Sequence, residues 1–296
     1  MSTFRDYLEL HFLVVLWGFT AILGKLITIP AVELVLHRTI LAAVALAVLL
    51  WFKKESFKLG SKVIWGLLGN GALVGLHWIT FFAAARIANV SVSLAGFATI
   101  ALWTSILEPL ILKRRIKWFE VVLGLVIILG LYVIFRFEFE HAWGLVVAIV
   151  SAFLVSLFTV FNVFYTHKFN HYTITFYEMV GAVLSILVLL PVYNHYQGGL
   201  DLLPTTMDWV YIAILALVCT VYAYSMGVEL MKRISAFALN LTVNLEPIYG
   251  IILALIIFGD SEKMTPQFYL GGLIVVVAVL CYPLLNRYFS SRISNS

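Results

Sequence analysis

Charge is what this chain lacks. Only 11% of its 296 residues are Asp, Glu, Lys or Arg, against roughly a quarter in soluble domains. So little charge cannot solvate the surface of a water-soluble protein of this length. With 63% hydrophobic residues and a mean hydropathy of +1.04, the solvent must be the bilayer. Cysteine is nearly absent too. Cys219 and Cys281 lie in apolar stretches with no second thiol at metal spacing, so they read as small core residues and indicate neither zinc nor redox chemistry. Enzyme signatures are missing: there is no Gly-rich phosphate loop, no His-Glu-x-x-His helix and no Gly-x-Ser-x-Gly elbow. The longest connection, about 193–207, contains no Lys, Arg, Glu or Cys. An enzyme, a bound cofactor or metal, and a nucleotide-driven pump are therefore not expected.

What is present is a series of ten apolar runs, at 8–28, 31–52, 62–85, 90–112, 118–135, 142–165, 174–193, 208–230, 235–258 and 267–286. Crossing a bilayer takes about 20 apolar residues per helix, and irregular backbone cannot face lipid. A β-barrel needs alternating apolar and polar residues, which runs such as Ile106 to Leu112 lack. The first run is too long for a signal-peptide core and has no small-residue cleavage site after it, so it is expected to stay in the protein. The expected fold is an all-α integral membrane protein of ten transmembrane helices.

The basic residues give its orientation. Alternate connections counted from the N-terminus hold Arg5; Lys53, Lys54, Lys58 and Lys62; Lys113, Arg114, Arg115 and Lys117; Lys168; Lys232 and Arg233; and Arg287 and Arg292. These are 14 of the 19 Lys and Arg; the opposite set holds Arg86, Arg136 and Lys263, with Lys25 and Arg38 toward its helix ends. Positive loops stay in the cytoplasm, which places both termini there and requires an even number of spans. The net charge of +4 is thereby explained by topology, and no nucleic-acid partner is indicated.

One internal repeat stands out. Leu107-Glu108-Pro109 and Leu245-Glu246-Pro247 lie 138 residues apart, each inside an apolar run and each followed by a Gly-, Val- and Leu-rich helix. Five helices per half is odd, so the second half enters from the other side of the membrane: a five-plus-five inverted repeat. The spacing after the motif differs, with Glu108 to Gly124 covering 16 residues and Glu246 to Gly272 covering 26, so the symmetry is approximate.

These residues resemble the ten-helix drug and metabolite transporters built of two EamA-type repeats. The resemblance covers the whole chain. It rests on Trp17-Gly18 with Lys25 in helix 1, Arg38 in helix 2, the Pro of helices 4 and 9, and the closing pattern Glu246-Pro247-Ile248-Tyr249-Gly250, Phe258-Gly259-Asp260 and Gly271-Gly272-Leu273-Ile274. Asp260 departs from the Glu the family carries there. The resemblance implies one repeat over 1–137 and a second over 138–296, in a single-chain carrier of a bacterial inner membrane. It further implies alternating access and export of amino acids or related amphipathic metabolites, without naming the substrate.

Charge at membrane depth costs several kcal/mol unless it is paired or wet, so each deep polar residue is a functional candidate. Arg38 either grips an anion in a central cavity, bidentately as guanidinium does, or pairs with Glu33 or snorkels outward. Glu108 and Glu246 precede helix prolines that free a backbone carbonyl; each either carries the coupling proton, H⁺ being the candidate ion, or pairs at an interface, as Lys113 near Glu108 suggests. Asn240 and Asn244 share a helix face. With Asn162, Tyr222, Tyr224, His77 and Trp78 they could line a site for an amphipathic small molecule, or serve as interhelical glue and interface anchors. Glu178 and Glu229 read as interface residues near Lys168 and Lys232. Gly71 and Gly75 have small-xxx-small spacing and are read as close helix packing. A proton-independent facilitator or exchanger, a channel and an intramembrane lipid enzyme remain open alternatives at this level.

Overall fold

The ten runs form ten helical segments. The computed structural model describes residues 3–115, 117–137 and 139–293; the side chains of Arg136, Arg287 and Arg292, counted above among the basic residues, lie outside that description. In chain order the helices are α1 (Phe4–Leu26), α2 (Ala31–Phe52), α3 (Ser61–Ile87), α4 (Val90–Leu112), α5 (Trp118–Phe137), α6 (Ala142–Thr166), α7 (His171–Gln197), α8 (Thr206–Leu230), α9 (Ala236–Val243 continued by Glu246–Phe258) and α10 (Pro266–Ile293). Among the described residues, eight are long and apolar enough to cross a membrane; α5 and α10 carry shorter apolar stretches, Trp118–Ile127 and Pro266–Ala278. Among the described residues there is no strand.

Local chemistry sets where the helices begin and end. Thr3 with Asp6 and Thr205 with Asp208 form capping boxes that open α1 and α8, while Asn89, Asn170 and Ser235 cap α4, α7 and α9. Each side-chain oxygen occupies a backbone N–H that the first turn leaves free. Lys113, at φ 54°, ends α4 in the left-handed region. Exposed Trp51, Trp65, Trp118 and Trp143 sit near helix ends, where indole rings prefer the headgroup layer.

The pairing of helices is two-fold. α3 packs on α6 and α7 as α8 packs on α1 and α2; α4 meets α6 as α9 meets α1; and α2 with α7, α4 with α9, and α5 with α10 are pairs that exchange into themselves. Moving these helices five places along the chain reproduces these pairings. We call the side bearing both chain ends the terminal face, and the other the opposite face.

The repeat also shows in broken helices. α4 consists of Val90–Phe97 and Ile100–Leu112, and α9 of Ala236–Val243 and Glu246–Phe258: eight residues, a two-residue interruption, then thirteen. This register is offset by 146 residues, against 138 for the Leu-Glu-Pro motif. The inverted repeat is therefore present, but Glu108 and Glu246 are not equivalent within it. Glu246 opens the long arm of α9 at its break, whereas Glu108 lies near the far end of the long arm of α4.

Small residues bring the helices together. A side chain on Gly71 would strike the backbone of Glu178, one on Gly181 the backbone of Leu68, and one on Gly75 would lie 3.2 Å from the Ala182 Cβ. α3 and α7 thus approach backbone to backbone, as the small-xxx-small spacing predicts.

Candidate functional site

Between the two halves lies a cavity that encloses, together with the open solvent at its mouth, about 710 Å³ of atom-free space, walled by α1, α2, α3, α4, α6, α8 and α9. It runs from Phe81 and Phe97 toward the opposite face to Met231 at the end of α8. Its walls are mainly aromatic and aliphatic, with a few convergent polar groups, the usual make-up of a small-molecule site.

Arg38 is the principal polar feature. It is 2% exposed and about 10 Å along α2 from the opposite face, at 1.5 Å per residue. Its Nε donates to Thr220 Oγ1 at 2.9 Å, and its guanidinium carbon lies 3.7 Å from the Trp78 ring centroid. Stacking and one hydrogen bond hold the side chain while its remaining N–H groups stay free to meet an anion. It makes no ion pair with Glu33, which instead accepts from the Tyr193 hydroxyl and the Asp201 backbone.

The frame around Arg38 depends on irregular backbone in α8. Residues Ile214–Tyr224 wind as a π-helix, in which hydrogen bonds skip one residue further and carbonyls and side chains are re-aimed. Within it Thr220 Oγ1 donates to the Leu215 carbonyl while receiving Arg38, and the Cys219 carbonyl receives Trp17 Nε1 at 3.3 Å. Trp17 is another cavity wall.

Glu246 lines the same cavity as Arg38 and is 4% exposed. At the break in α9 it stands near mid-membrane, about 15 Å from the terminal face. Asn240 also lines the cavity and donates to Thr104 Oγ1 at 2.9 Å, joining α9 to α4. His77 has Nδ1 2.8 Å from Ser151 Oγ, tying α3 to α6, and its ring stacks on Phe97 with centroids 5.6 Å apart.

Of the residues expected to line a site, Arg38, His77, Trp78, Asn162, Tyr224 and Asn240 come together in this cavity. Tyr222 does not: it is exposed and meets Phe12 edge-on. Asn244 is buried at the α9 break, off the cavity lining. Glu108 is also elsewhere, accepting from Arg114 at 2.9 Å and from the Phe237 backbone N–H at 2.9 Å. Glu229 pairs with Lys232 at 2.6 Å, as an interface residue should. Glu178 does not behave that way. It is fully buried and accepts from Asn70 Nδ2 at 2.7 Å and from the Tyr224 hydroxyl at 2.9 Å. Its place near the end of a run concealed how deep α7 carries it; the nearby Asn70 on α3 was the one available signal.

The EamA-like transporter family matches residues 9–136 and 142–282, two copies that together span most of the chain. The chain belongs to the EamA-like transporter family. One solved structure, titled only as the crystal structure of a protein, is similar over 97% of this chain and 99% of its own, with TM-score 0.70 at 15% identity; that likeness concerns the fold alone. No curated protein matches the chain. As a member of the EamA-like family with two such repeats, the protein is an integral membrane transporter of small molecules.

Proposed function

We propose that this transporter carries a small amphipathic metabolite, an amino acid or a close relative, through the central cavity by alternating access, with export as its direction. The observation that carries the reading is the joint presence of Arg38 and Glu246 in one aromatic-walled cavity. A guanidinium held by Trp78 and Thr220 suits a carboxylate, and a carboxylate in the same cavity suits an ammonium. An uncharged substrate would leave the guanidinium and the carboxylate with only each other's field to balance them, without the full set of direct hydrogen bonds that buried charges need. Trp17, Trp78, Phe81 and Phe158 supply apolar contact for the remainder of the molecule.

Of the two carboxylates considered for coupling, Glu246 is the one within reach of substrate. Proton and ammonium compete for it, so that a proton taken up from one side releases substrate there, which is the logic of an antiporter. Glu108, bonded to Arg114 and to the start of α9, serves the helix packing. The export direction comes from the family resemblance, as does placement in a bacterial inner membrane. The lysine- and arginine-rich terminal face is assigned to the cytoplasm by the positive-inside rule, with one repeat in 1–137 and the other in 138–296.

The deciding experiment is uptake into proteoliposomes of purified protein, offering pooled labelled amino acids with and without an imposed pH gradient. Saturable amino-acid uptake stimulated by the gradient is expected. Saturable uptake indifferent to the gradient would replace coupling by facilitation or exchange, and uptake of uncharged solutes only would overturn the zwitterion reading.

A further inference from the structure

A second carboxylate lies behind the cavity wall in a cage of amides and phenols. Glu178 is on α7, about 10 Å from the terminal face, and is fully buried. Its Oε1 accepts from Asn70 Nδ2 of α3 at 2.7 Å and its Oε2 from the Tyr224 hydroxyl of α8 at 2.9 Å. Tyr224 in turn receives Asn162 Nδ2 of α6 at 3.4 Å. Among the described residues Glu178 makes no ion pair. The titratable groups facing it are the phenols of Tyr224 on α8 and Tyr165 on α6; α3 faces it with the amide of Asn70, and from α2 no charged group reaches it.

The hydrogen bonding of the cage is short of protons. The Asn70 amide nitrogen has two hydrogens and faces three acceptors: Glu178 Oε1, Asn162 Oδ1 at 3.1 Å and the Phe158 carbonyl at 3.2 Å. Its own oxygen, buried, has no donor. One additional proton corrects the crowding. Protonated, Glu178 becomes a donor: it gives its proton to the Tyr224 oxygen 2.9 Å away and competes less for Asn70, whose two hydrogens then serve Asn162 Oδ1 and the Phe158 carbonyl. A metal-ion site would turn carbonyl oxygens toward the carboxylate, whereas here an N–H and an O–H point at it.

We propose that Glu178 is a second proton-binding site of this transporter, whose occupancy is read in the substrate cavity through the Tyr224 hydroxyl. Tyr224 and Asn162 are both cavity walls, so the inference rests on that cavity being the substrate site. With Glu178 ionised, the single O–H of Tyr224 is committed to the carboxylate. A proton arriving from cavity water adds to the carboxylate oxygen, the O–H of Tyr224 is released, and it turns toward substrate. The Tyr224 ring meets Trp78 edge-on with centroids 6.0 Å apart, and Trp78 carries Arg38, so the change reaches the substrate's anion contact through two ring contacts. A ligand shifts a conformational balance only through unequal interaction with its states, and a hydroxyl present in one protonation state and withdrawn in the other supplies that inequality.

The test needs no substrate. Infrared difference spectra of the purified protein in liposomes, taken across a pH titration, report protonated carboxyl groups by their C=O stretch. The expected result is a titrating component that vanishes in Glu178→Gln, survives in Glu246→Gln, and shifts in frequency in Tyr224→Phe, which deletes the phenolic hydrogen bond but keeps the ring. A properly folded Glu178→Gln protein retaining every titrating component would overturn the proposal. Should that variant fail to fold, Tyr224→Phe and Asn70→Ala decide, and an unmoved spectrum in both overturns it equally. Loss of the component on adding sodium chloride at constant pH would reassign the cage to a sodium ion. Because no amino acid is present, failure of amino-acid uptake leaves this result standing, and the two readings fail separately.

Discussion

Glu108 and Glu262 cap each other's repeats. Glu108, near the end of α4, accepts the backbone N–H of Phe237 in the first turn of α9. Glu262, just past α9, accepts those of Val90 and Ser91 in the first turn of α4. Each carboxylate also holds a basic side chain, Arg114 for Glu108 and Lys25 for Glu262. The two crossing helices are thus joined at both faces by the same device, a carboxylate on free N–H groups at a helix start.

The two devices differ in strength. Glu262 is fully buried and adds a bond from Ser91 Oγ at 3.1 Å, whereas Arg114 is 57% exposed and an exposed ion pair contributes little. Glu262→Ala is expected to lower stability by about 3 kcal/mol or more and Glu108→Ala by about 1 kcal/mol, the difference between losing several buried charge-assisted bonds and losing one buried bond with an exposed ion pair. Apparent melting temperatures in detergent measure this; equal shifts would refute it.

Arg38→Ala and Arg38→Lys should both abolish or reduce transport by about ten- to a hundred-fold, as loss of a charge-assisted contact implies, with expression unchanged. Lysine keeps the charge but cannot both stack on Trp78 and bond Thr220 while offering a fork to a carboxylate. Initial rates in proteoliposomes decide, and full activity of the lysine variant would remove the bidentate role.

For Glu246→Gln the expected outcome is loss of stimulation by a pH gradient, since the amide can neither bind nor release a proton at this position. Uptake is compared at matched and opposed pH across the membrane. If variant and wild type share one pH profile, coupling lies at another residue.

Gly71→Val is expected to yield little folded protein, because a side chain there meets the Glu178 backbone and α3 and α7 cannot part without opening the cage. Gly60→Ala, where nothing lies within 4 Å, is the matched control and should leave the yield unchanged. Size-exclusion profiles after solubilisation report the difference.

The membrane fold was legible in sequence because lipid permits so few solutions: apolar run length and loop charge yield helices and their alternation, and the ten expected runs correspond to α1–α10. The boundaries agree to a few residues at most ends, with α10 extending furthest beyond its run. Equivalence within the repeat was less legible. The recurring Leu-Glu-Pro triplet aligns residues with different surroundings, while the breaks at 98–99 and 244–245 that relate the halves share no residue type. Depth in the membrane separated the site residues unevenly. Arg38 and Glu246 stand out as charges inside apolar runs, but Tyr222 and Tyr224 are two positions apart and only the helix decides which faces inward. Sequence has no ready signal for the π-helical winding that makes that choice.

The breaks in α4 and α9 also divide each helix into arms of unequal reach. An arm of eight residues is about 12 Å long and one of thirteen about 20 Å, so a given swing about the break moves the tip of the long arm more than half again as far. In α4 the short arm points to the opposite face, and in α9 it points to the terminal face. Each membrane surface therefore carries one long arm and one short one, so neither face is built with the longer reach.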